Sequence, residues 1–440
     1  MNIVLISTYD LGRQPFGLAS PTAWLEARGH RVTPIDLTLS PLPSLVVREA
    51  DLVAFFLPMH TATRLAVPVI DRVKRLNGNA RLAAYGLYAP LNETYLQELG
   101  IHHVFGGEFE PGLAALAGGV APAQPIALDR LTFLTPSRAG LPALSRYAKL
   151  HINGECRTAG YTEASRGCKH LCRHCPVVPV YNGTFRVVQQ EVVLEDVRRQ
   201  VAAGAAHITF GDPDFFNGPT HAIRLVEALH AEFPALTYDV TIKVEHLLNH
   251  RDLLPVLART NCAFVITAVE SVQDDVLLKL DKGHTEAGFI EAVTLCRAAG
   301  LALTPTFIPF TPWTTREGYL GLLSVLARLD LIDHVPPIQL ALRLLIPQGS
   351  RLLELEEIQS VVSGYDPAAL LHRWRHPDED IDALAANVLR LVNETQRARV
   401  PRREIFARLW RAAAEDVALP ENFDLLPRAE VPYLDEPWYC

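Results

Sequence analysis

Residues 163–175 read EASRGCKHLCRHC, and three of the seven cysteines in the chain, Cys168, Cys172 and Cys175, fall inside that stretch. A CxxxCxxC spacing places three thiols on one loop. Lys169, His170, Arg173 and His174 stand between and beside them, which makes the loop a poor piece of apolar core. Thiols crowded in this way are also unlike a disulfide framework, which needs separated partners in an oxidising compartment. Two metal readings follow. Three thiolates can ligate three irons of a four-iron four-sulfur (4Fe-4S) cubane and leave the fourth iron open to an outside ligand. Alternatively His170 or His174 completes a zinc site, and the chain is a zinc-stabilised binding protein without catalysis. Structural zinc usually draws its ligands as two separated pairs, which favours the cluster.

Outward from this loop the chain alternates apolar runs with helical periods. Downstream, strands are predicted at 207–210, 237–242, 262–269, 302–307 and 339–345, a βα series from about 161 to 347 that predicts a partial or complete β/α barrel. Upstream, residues 2–7, 32–37, 51–57, 81–85 and 103–105 read as strands, with helices at 21–28 and 62–76. That alternation predicts a small doubly wound, Rossmann-like α/β domain with a parallel sheet. Residues 118–125 (GGVAPAQP) support neither periodicity and read as linker. From 350 the pattern turns helical and Arg-rich, at 381–397 and 402–415, before an irregular aromatic tail, VPYLDEPWYC. The division expected is 1–119, a linker at 120–150, a barrel at 151–349 and a helical region at 350–440.

At 440 residues the chain exceeds one hydrophobic core. With 49% hydrophobic and 20% charged residues it has the composition of a folded globular protein. A net charge of -8 supplies no broad basic surface, so nucleic acid is a weak candidate partner. The opening MNIVLIS lacks the basic flank and cleavage site of a signal peptide, and no apolar run of about 18 residues follows. These features predict a cytoplasmic protein with no membrane partner.

SRGC opening a CxxxCxxC triplet at the start of a βα series resembles the radical S-adenosylmethionine (radical SAM) superfamily over roughly 161–347. The resemblance implies an enzyme in which Cys168, Cys172 and Cys175 hold a 4Fe-4S cluster. The amine and carboxylate of S-adenosyl-L-methionine chelate the open iron, and one-electron reduction breaks a carbon–sulfur bond, usually yielding a 5'-deoxyadenosyl radical. An electron donor such as flavodoxin or ferredoxin is implied too. Gly211, Asp212, Pro213 and Asp214 stand where the family carries a GGE-like segment touching the methionyl amine, although the residues depart from Gly-Gly-Glu. Carboxylates there suit an ammonium, while Gly-Asp-Pro is also an ordinary turn.

Residues 269–285 (VESVQDDVLLKLDKGHT) resemble the family's ES...VL..L.KGHT pattern. Glu270 and Ser271 are therefore candidate cofactor contacts, Glu270 for cofactor or substrate. Ser271 capping the next helix and Gly283 stopping it explain half the pattern locally. Lys243 and Glu245 stand where related enzymes place a charged contact to the cofactor carboxylate, and ordinary exposed charges fit them equally. Residues 306–311 and 343–352 resemble the last barrel strands, against which adenine and ribose would lie. Cys156, Cys262 and Cys296 are expected to be buried thiols without a role.

Strand order in 1–111 and Gly106-Gly107-Glu108 resemble the cobalamin-binding domain that precedes the barrel in one radical SAM subclass. The DxHxxG motif is absent, so cobalamin is left open. A corrinoid would meet the strand-end loops at 8–20, 58–63, 86–90 and 106–110. His60 is the candidate cobalt ligand among them, set against the commoner role of a lone loop histidine as a structural donor. The whole chain is similar to CUAEP/CCAEP-tail radical SAM proteins, in which the end continues through Cys or selenocysteine and Ala-Glu-Pro. That similarity implies truncation at a UGA codon after Cys440, hence a candidate selenoprotein, and a second branch in which a 3-amino-3-carboxypropyl radical passes to a soft acceptor such as arsenic. The substrate, a small molecule or peptide, is not fixed by fold or cofactor.

Overall fold

Runs such as Asn2–Ser7 (β1, NIVLIS) and Leu52–Phe56 (β3, LVAFF) carry no polar face, the pattern of strands covered on both sides. In the computed structural model, which describes residues 1–120, 124–414, 418–420, 423–426 and 431–435, they lie in a six-stranded sheet. Its other members are Arg31–Asp36 (β2), Arg81–Tyr85 (β4), His103–Gly107 (β5) and Ile126–Ala127 (β6), in the order β2-β1-β3-β4-β5-β6. All pairs are parallel. Val4, Ile6, Val53 and Phe55 pack on one face, and Ile3, Leu5, Leu52 and Ala54 on the other. The stretch read as linker thus gives this sheet its edge, with Ile126 beside Gly106. It also supplies Lys149–Ile152 (β7) to the next sheet.

The second sheet adds Glu155–Thr162 (β8), His207–Phe210 (β11), Thr237–Thr241 (β12), Cys262–Glu270 (β13) and Leu303–Phe307 (β14). Between β8 and β11, Ser165–Gly167 (β9) and Phe185–Val187 (β10) form a separate antiparallel pair. Strands β8 and β11 to β14 are parallel, a partial barrel around the largest apolar core. The strand predicted at 339–345 is absent from the described sheets. Pro337–Leu340 is a short 3-10 turn, and only an isolated bridge joins Phe310 to Arg343.

After the barrel come a hairpin, Val362–Asp366 (β15) and Leu371–Trp374 (β16), and two amphipathic helices, Glu379–Arg397 and Arg402–Ala414. The tail read as irregular instead sends Tyr433–Leu434 (β17) antiparallel onto β7, extending the second sheet. Residues 436–440, with Cys440 and its proposed continuation, lie outside the described residues. Cys262 and Cys296 are buried, but Cys156 is exposed on the β7–β8 hairpin, against expectation. No helix among the described residues is long and apolar enough to cross a membrane.

Candidate functional site

Gly167 closes β9 and turns the chain into the cysteine loop with φ +74°. A Cβ there would run into the Tyr181 ring and the Thr184 carbonyl, so only glycine fits. This gives the SRGC order a steric reason. Ser165 and Ala164 are pinned by Asp212, whose two oxygens accept from Ser165 Oγ at 2.5 Å and Ala164 N at 2.9 Å. Burial pushes the Asp212 carboxyl up to about 7. Asp212 therefore braces the approach to the loop rather than facing a ligand. Gly211 backs onto the Tyr161 phenol, which occupies the space a Cβ would need.

Cys172 is buried and Cys168 and Cys175 are partly so. Burial pushes the Cys168 thiol up and the Cys175 thiol to about 12. As free thiols they keep their protons, and a bound metal cation is what would displace them. For Lys282 burial opposes the charge, but Glu270 and the sulfurs of Cys172 and Cys175 outweigh it and raise the ammonium's pKa. A buried cation beside soft sulfur donors fits an anionic thiolate-bound cluster.

The two metal readings differ in the sulfur spacing they need. Zn–S bonds of about 2.3 Å hold two thiolates about 3.8 Å apart on a tetrahedral ion. Among the described residues, the one trio of potential ligands lying within 4.8 Å of each other is His170, Asp214 and His246, not the cysteines. A cubane, by contrast, takes each thiolate on a separate iron and so needs them further apart. The trio itself is a set of close polar contacts, hydrogen-bonded between His170 and His246 and ion-paired to Asp214. Lys243 Nζ lies 3.1 Å from His170 Nδ1, and an ammonium only donates, so the His170 proton sits on Nε2. That N–H faces His246 Nε2 at 3.2 Å and Asp214 Oδ2 at 3.5 Å, leaving no lone pair for a metal. Nδ1 of His246 approaches Asp214 Oδ2 at 2.7 Å. Burial works to raise the Asp214 carboxyl, but its bonds to the two histidines prevail and hold it at about 2.

Three strand ends meet the loop. Asp214 follows β11. Lys243 follows β12 and pairs with Glu245 at 3.0 Å, and Gly283 packs so closely that a Cβ would press on Glu245 Oε2. Glu270 ends β13 at a register shift with φ +69°, a left-handed conformation rare for a side chain of this size. The bulge turns its carboxylate toward His174 Nε2 at 3.2 Å and Lys282 Nζ at 3.3 Å. Burial alone would raise Glu270, and Lys282 and His174 together bring it down to about 2. Ser271, expected to cap the next helix, instead accepts from Gln273 N at 3.0 Å, three residues before the helix Asp274–Leu280 begins.

Sequence reasoning named His170 and His174 only as alternative zinc ligands and missed His246, and it missed Lys282 as the counter-charge of Glu270. KGHT held the one legible signal, for Lys282. His284 of the same motif is half-buried, and burial together with Lys282 lowers its pKa to about 4. His60 proves to be the first residue of the helix His60–Leu76, and its Nε2 lies 2.7 Å from the Ala369 carbonyl oxygen. With Tyr365 donating to Asn92 Oδ1 at 2.5 Å, it ties the β15–β16 hairpin to the first sheet. The His60 contact is the structural hydrogen bond that a lone loop histidine commonly makes.

Where β3, β4 and β5 end, the first sheet faces the cysteine loop directly. Leu91, Val177, Val180 and Tyr181 pack there with Ile126, Leu128, Cys168 and Cys175. Beside them Arg166 donates to the half-buried Glu163 at 2.7 Å and, in the interior, to Glu110 at 2.7 and 2.9 Å and to Glu108 at 3.2 Å. The remaining cavity, lined by Phe56, Gly86, Phe109, Arg166 and Tyr181, measures about 130 Å³. Pockets for drug-sized ligands run from about 300 Å³ upward, so a corrinoid would need more of this interface than the cavity alone.

This geometry defines a class: a partial β/α barrel with a three-thiol loop and charged strand ends, preceded by a doubly wound domain. Residues 162–322 match the Radical SAM superfamily model, so the chain carries a radical SAM domain. Among curated proteins it is 25% identical over 203 residues to Hopanoid C-3 methylase of Methylococcus capsulatus, covering 46% of this chain and 38% of that protein. It is 24% identical over 194 residues to tRNA-2-methylthio-N(6)-dimethylallyladenosine synthase of Geobacter sulfurreducens, covering 41% and 42%. The chain thus spans well under two thirds of the length of these relatives. Among solved structures, the cobalamin-dependent S-adenosylmethionine radical enzyme OxsB with aqua-cobalamin bound superposes with a TM-score of 0.71 at 14% identity, over 89% of this chain and 67% of that one. The radical S-adenosylmethionine methyltransferase TsrM of Kitasatospora setae, with tryptophan and a SAM analogue bound, gives 0.66 at 16% identity, over 89% of each. The fold is that of the radical SAM subclass with a cobalamin-binding-like domain.

Proposed function

We propose that the chain is a radical SAM enzyme that cleaves S-adenosyl-L-methionine reductively and starts radical chemistry on a second substrate. The observation that carries this is the convergence of Cys168, Cys172 and Cys175 on the ends of β11, β12 and β13, where the cations Lys243 and Lys282 and the carboxylates Asp214 and Glu270 are already buried. When bound, a 4Fe-4S cluster would supply the electron that breaks the carbon–sulfur bond. The chain's own residues bind and orient. Asp214 offers a carboxylate held ionised for the methionyl ammonium, a role that Asp212 is not free to take. Lys243 offers a cation for the methionyl carboxylate, with Glu245 fixing its position. Glu270 and Lys282 keep a paired charge beside the sulfurs, and the apolar seal around Tyr181 and Val177 excludes water.

Its curated relatives transfer methyl and methylthio groups by name, and transfer of such a group is the reading they support here. The 3-amino-3-carboxypropyl branch rests on Cys440, outside the described residues. A cytoplasmic setting agrees with the reduced thiols of the loop. Anaerobic reconstitution with iron and sulfide, followed by S-adenosyl-L-methionine and titanium(III) citrate, tests the proposal. Release of 5'-deoxyadenosine is expected. An iron-loaded protein that yields no cleavage product of any kind would refute it.

A further inference from the structure

We infer that the second substrate is an uncharged, mainly apolar small molecule with one hydroxyl or carbonyl oxygen, held inside the barrel in a chamber that the tail strand β17 completes; this rests on the reading of the chain as an enzyme acting on a second substrate. The chamber measures about 330 Å³, within the range of small-molecule sites and enough for about ten water-sized groups. Both edges of the second sheet reach it. Thr304 and Thr306 line it from β14 at one edge, and Tyr433 and Leu434 from β17 at the other. Asp435 holds β17 in place, accepting from Lys149 N at 2.6 Å and lying 2.8 Å from His151 Nε2, while the Tyr433 ring stacks on His151 at 4.8 Å. Tyr161 also lines the chamber, and its hydroxyl end packs on Gly211, so the chamber lies a tyrosine ring away from the end of β11.

The wall sets the chemistry of the occupant. Among the described residues lining it there is no Asp, Glu, Lys or His, in contrast to the strand ends around the cysteine loop. Its one charge, Arg13, lies over the Tyr161 ring at 4.8 Å and acts on the neighbouring Asp10 carboxyl. An anion would have to compete with that ring and that carboxyl for Arg13, and a cation would find no partner, so an ion gives up its water here for little in return. Phe264, Ile266 and Leu434 offer apolar surface. The polar groups are few and neutral. Thr209 Oγ1 already donates to Asp239 at 2.6 Å, and Thr304 Oγ1 has no hydrogen-bond partner among the described residues. Gln339 accepts from Phe307 N through Oε1 at 3.2 Å, which leaves its amide N–H groups to donate to a ligand. Such a wall suits one acceptor oxygen on an apolar body. A peptide backbone or a nucleotide phosphate would bring more polar groups than it can pair.

The test titrates the reconstituted full chain with 1-naphthol, which is uncharged at pH 7, and with 1-naphthoate and 1-naphthylmethylammonium, which keep the rings and add a charge of either sign. A single saturable 1-naphthol site is expected, at least about tenfold tighter than for either ion and undisturbed by S-adenosyl-L-methionine. Ile266→Phe grows into the chamber and should weaken 1-naphthol by about tenfold. Asp435→Ala, which loosens β17, should weaken it too. Gln339→Glu keeps an acceptor for Phe307 N but replaces the donor by an anion, so it should reverse the order of 1-naphthol and 1-naphthylmethylammonium, a switch that a merely loosened fold would not produce. No saturable 1-naphthol site, equal or tighter binding of either ion by the wild type, displacement of 1-naphthol by S-adenosyl-L-methionine, or an unchanged order in Gln339→Glu would overturn the proposal. Absence of cleavage with titanium(III) citrate in the wild type would instead strike the radical SAM reading, since binding is scored separately.

Discussion

Replacing Arg166 by methionine removes the one cation among three clustered carboxyls while keeping most of the side-chain volume. Glu163, Glu110 and Glu108 lose four charge-assisted hydrogen bonds of 2.7 to 3.2 Å. At the surface such pairs would be worth about 0–1 kcal/mol. In the interior the stranded charges cost more, and breaking a buried pair from one side typically costs about 3–5 kcal/mol. The sign of the pH dependence follows from the carboxyls. Burial already holds Glu108 up to about 7 and raises Glu163, against an ordinary value of 4.5. A carboxyl raised in the folded state contributes stability that is present below about 4.5 and lost as pH climbs through about 7. Without Arg166 these groups rise further, so the penalty should be full at pH 8 and shrink toward pH 5. Anaerobic urea unfolding of both proteins, followed by circular dichroism at the two pH values, measures it. A loss under about 1 kcal/mol, or an equal loss at both pH values, would refute the buried-clamp reasoning.

Three further outcomes are expected. Gly211→Ala forces a methyl into the Tyr161 hydroxyl, so it should cost about 1–3 kcal/mol in urea unfolding, and Tyr161→Phe in the same chain should recover part of that; additivity of the two would contradict the contact. Burial holds Asp10 up to about 7, from an ordinary 3.8, so Asp10→Asn should raise the melting temperature relative to wild type at pH 8 and leave it unchanged near pH 3.5. Glu270→Gln leaves Lys282 unpaired, and calorimetry should show S-adenosyl-L-methionine binding weakened by at least about tenfold with iron content unchanged; undiminished affinity would remove Glu270 from the site.

What could be read from the sequence was local. The cysteines lie within eight positions, and β1, β3, β4 and β11 are runs buried at nearly every residue, so spacing and hydropathy reveal them. The failures involve distant partners or competing apolar signals. Residues 339–345 are apolar enough for a strand, but Pro336 and Pro337 open a 3-10 turn just before them, and a missing N–H disfavours a ladder. The two residues of β17 find their partner some 280 positions earlier, on β7. Asp214 was legible beside its strand, whereas His246, two residues into a short helix, carries no motif and is placed only by the barrel's curvature. Asp212 and Asp214 look interchangeable in sequence; burial against Ala164 and Ser165 is what separates their roles.

The most direct measurement is the metal and acid-labile sulfide content of the full chain after anaerobic reconstitution, beside a variant with Cys168, Cys172 and Cys175 all changed to alanine. Iron and sulfide in equal amounts, near four of each per chain, are expected in the wild type and should vanish in the variant. Stoichiometric zinc without sulfide in the wild type, or iron retained after the three thiols are gone, would contradict the three-thiol cluster site.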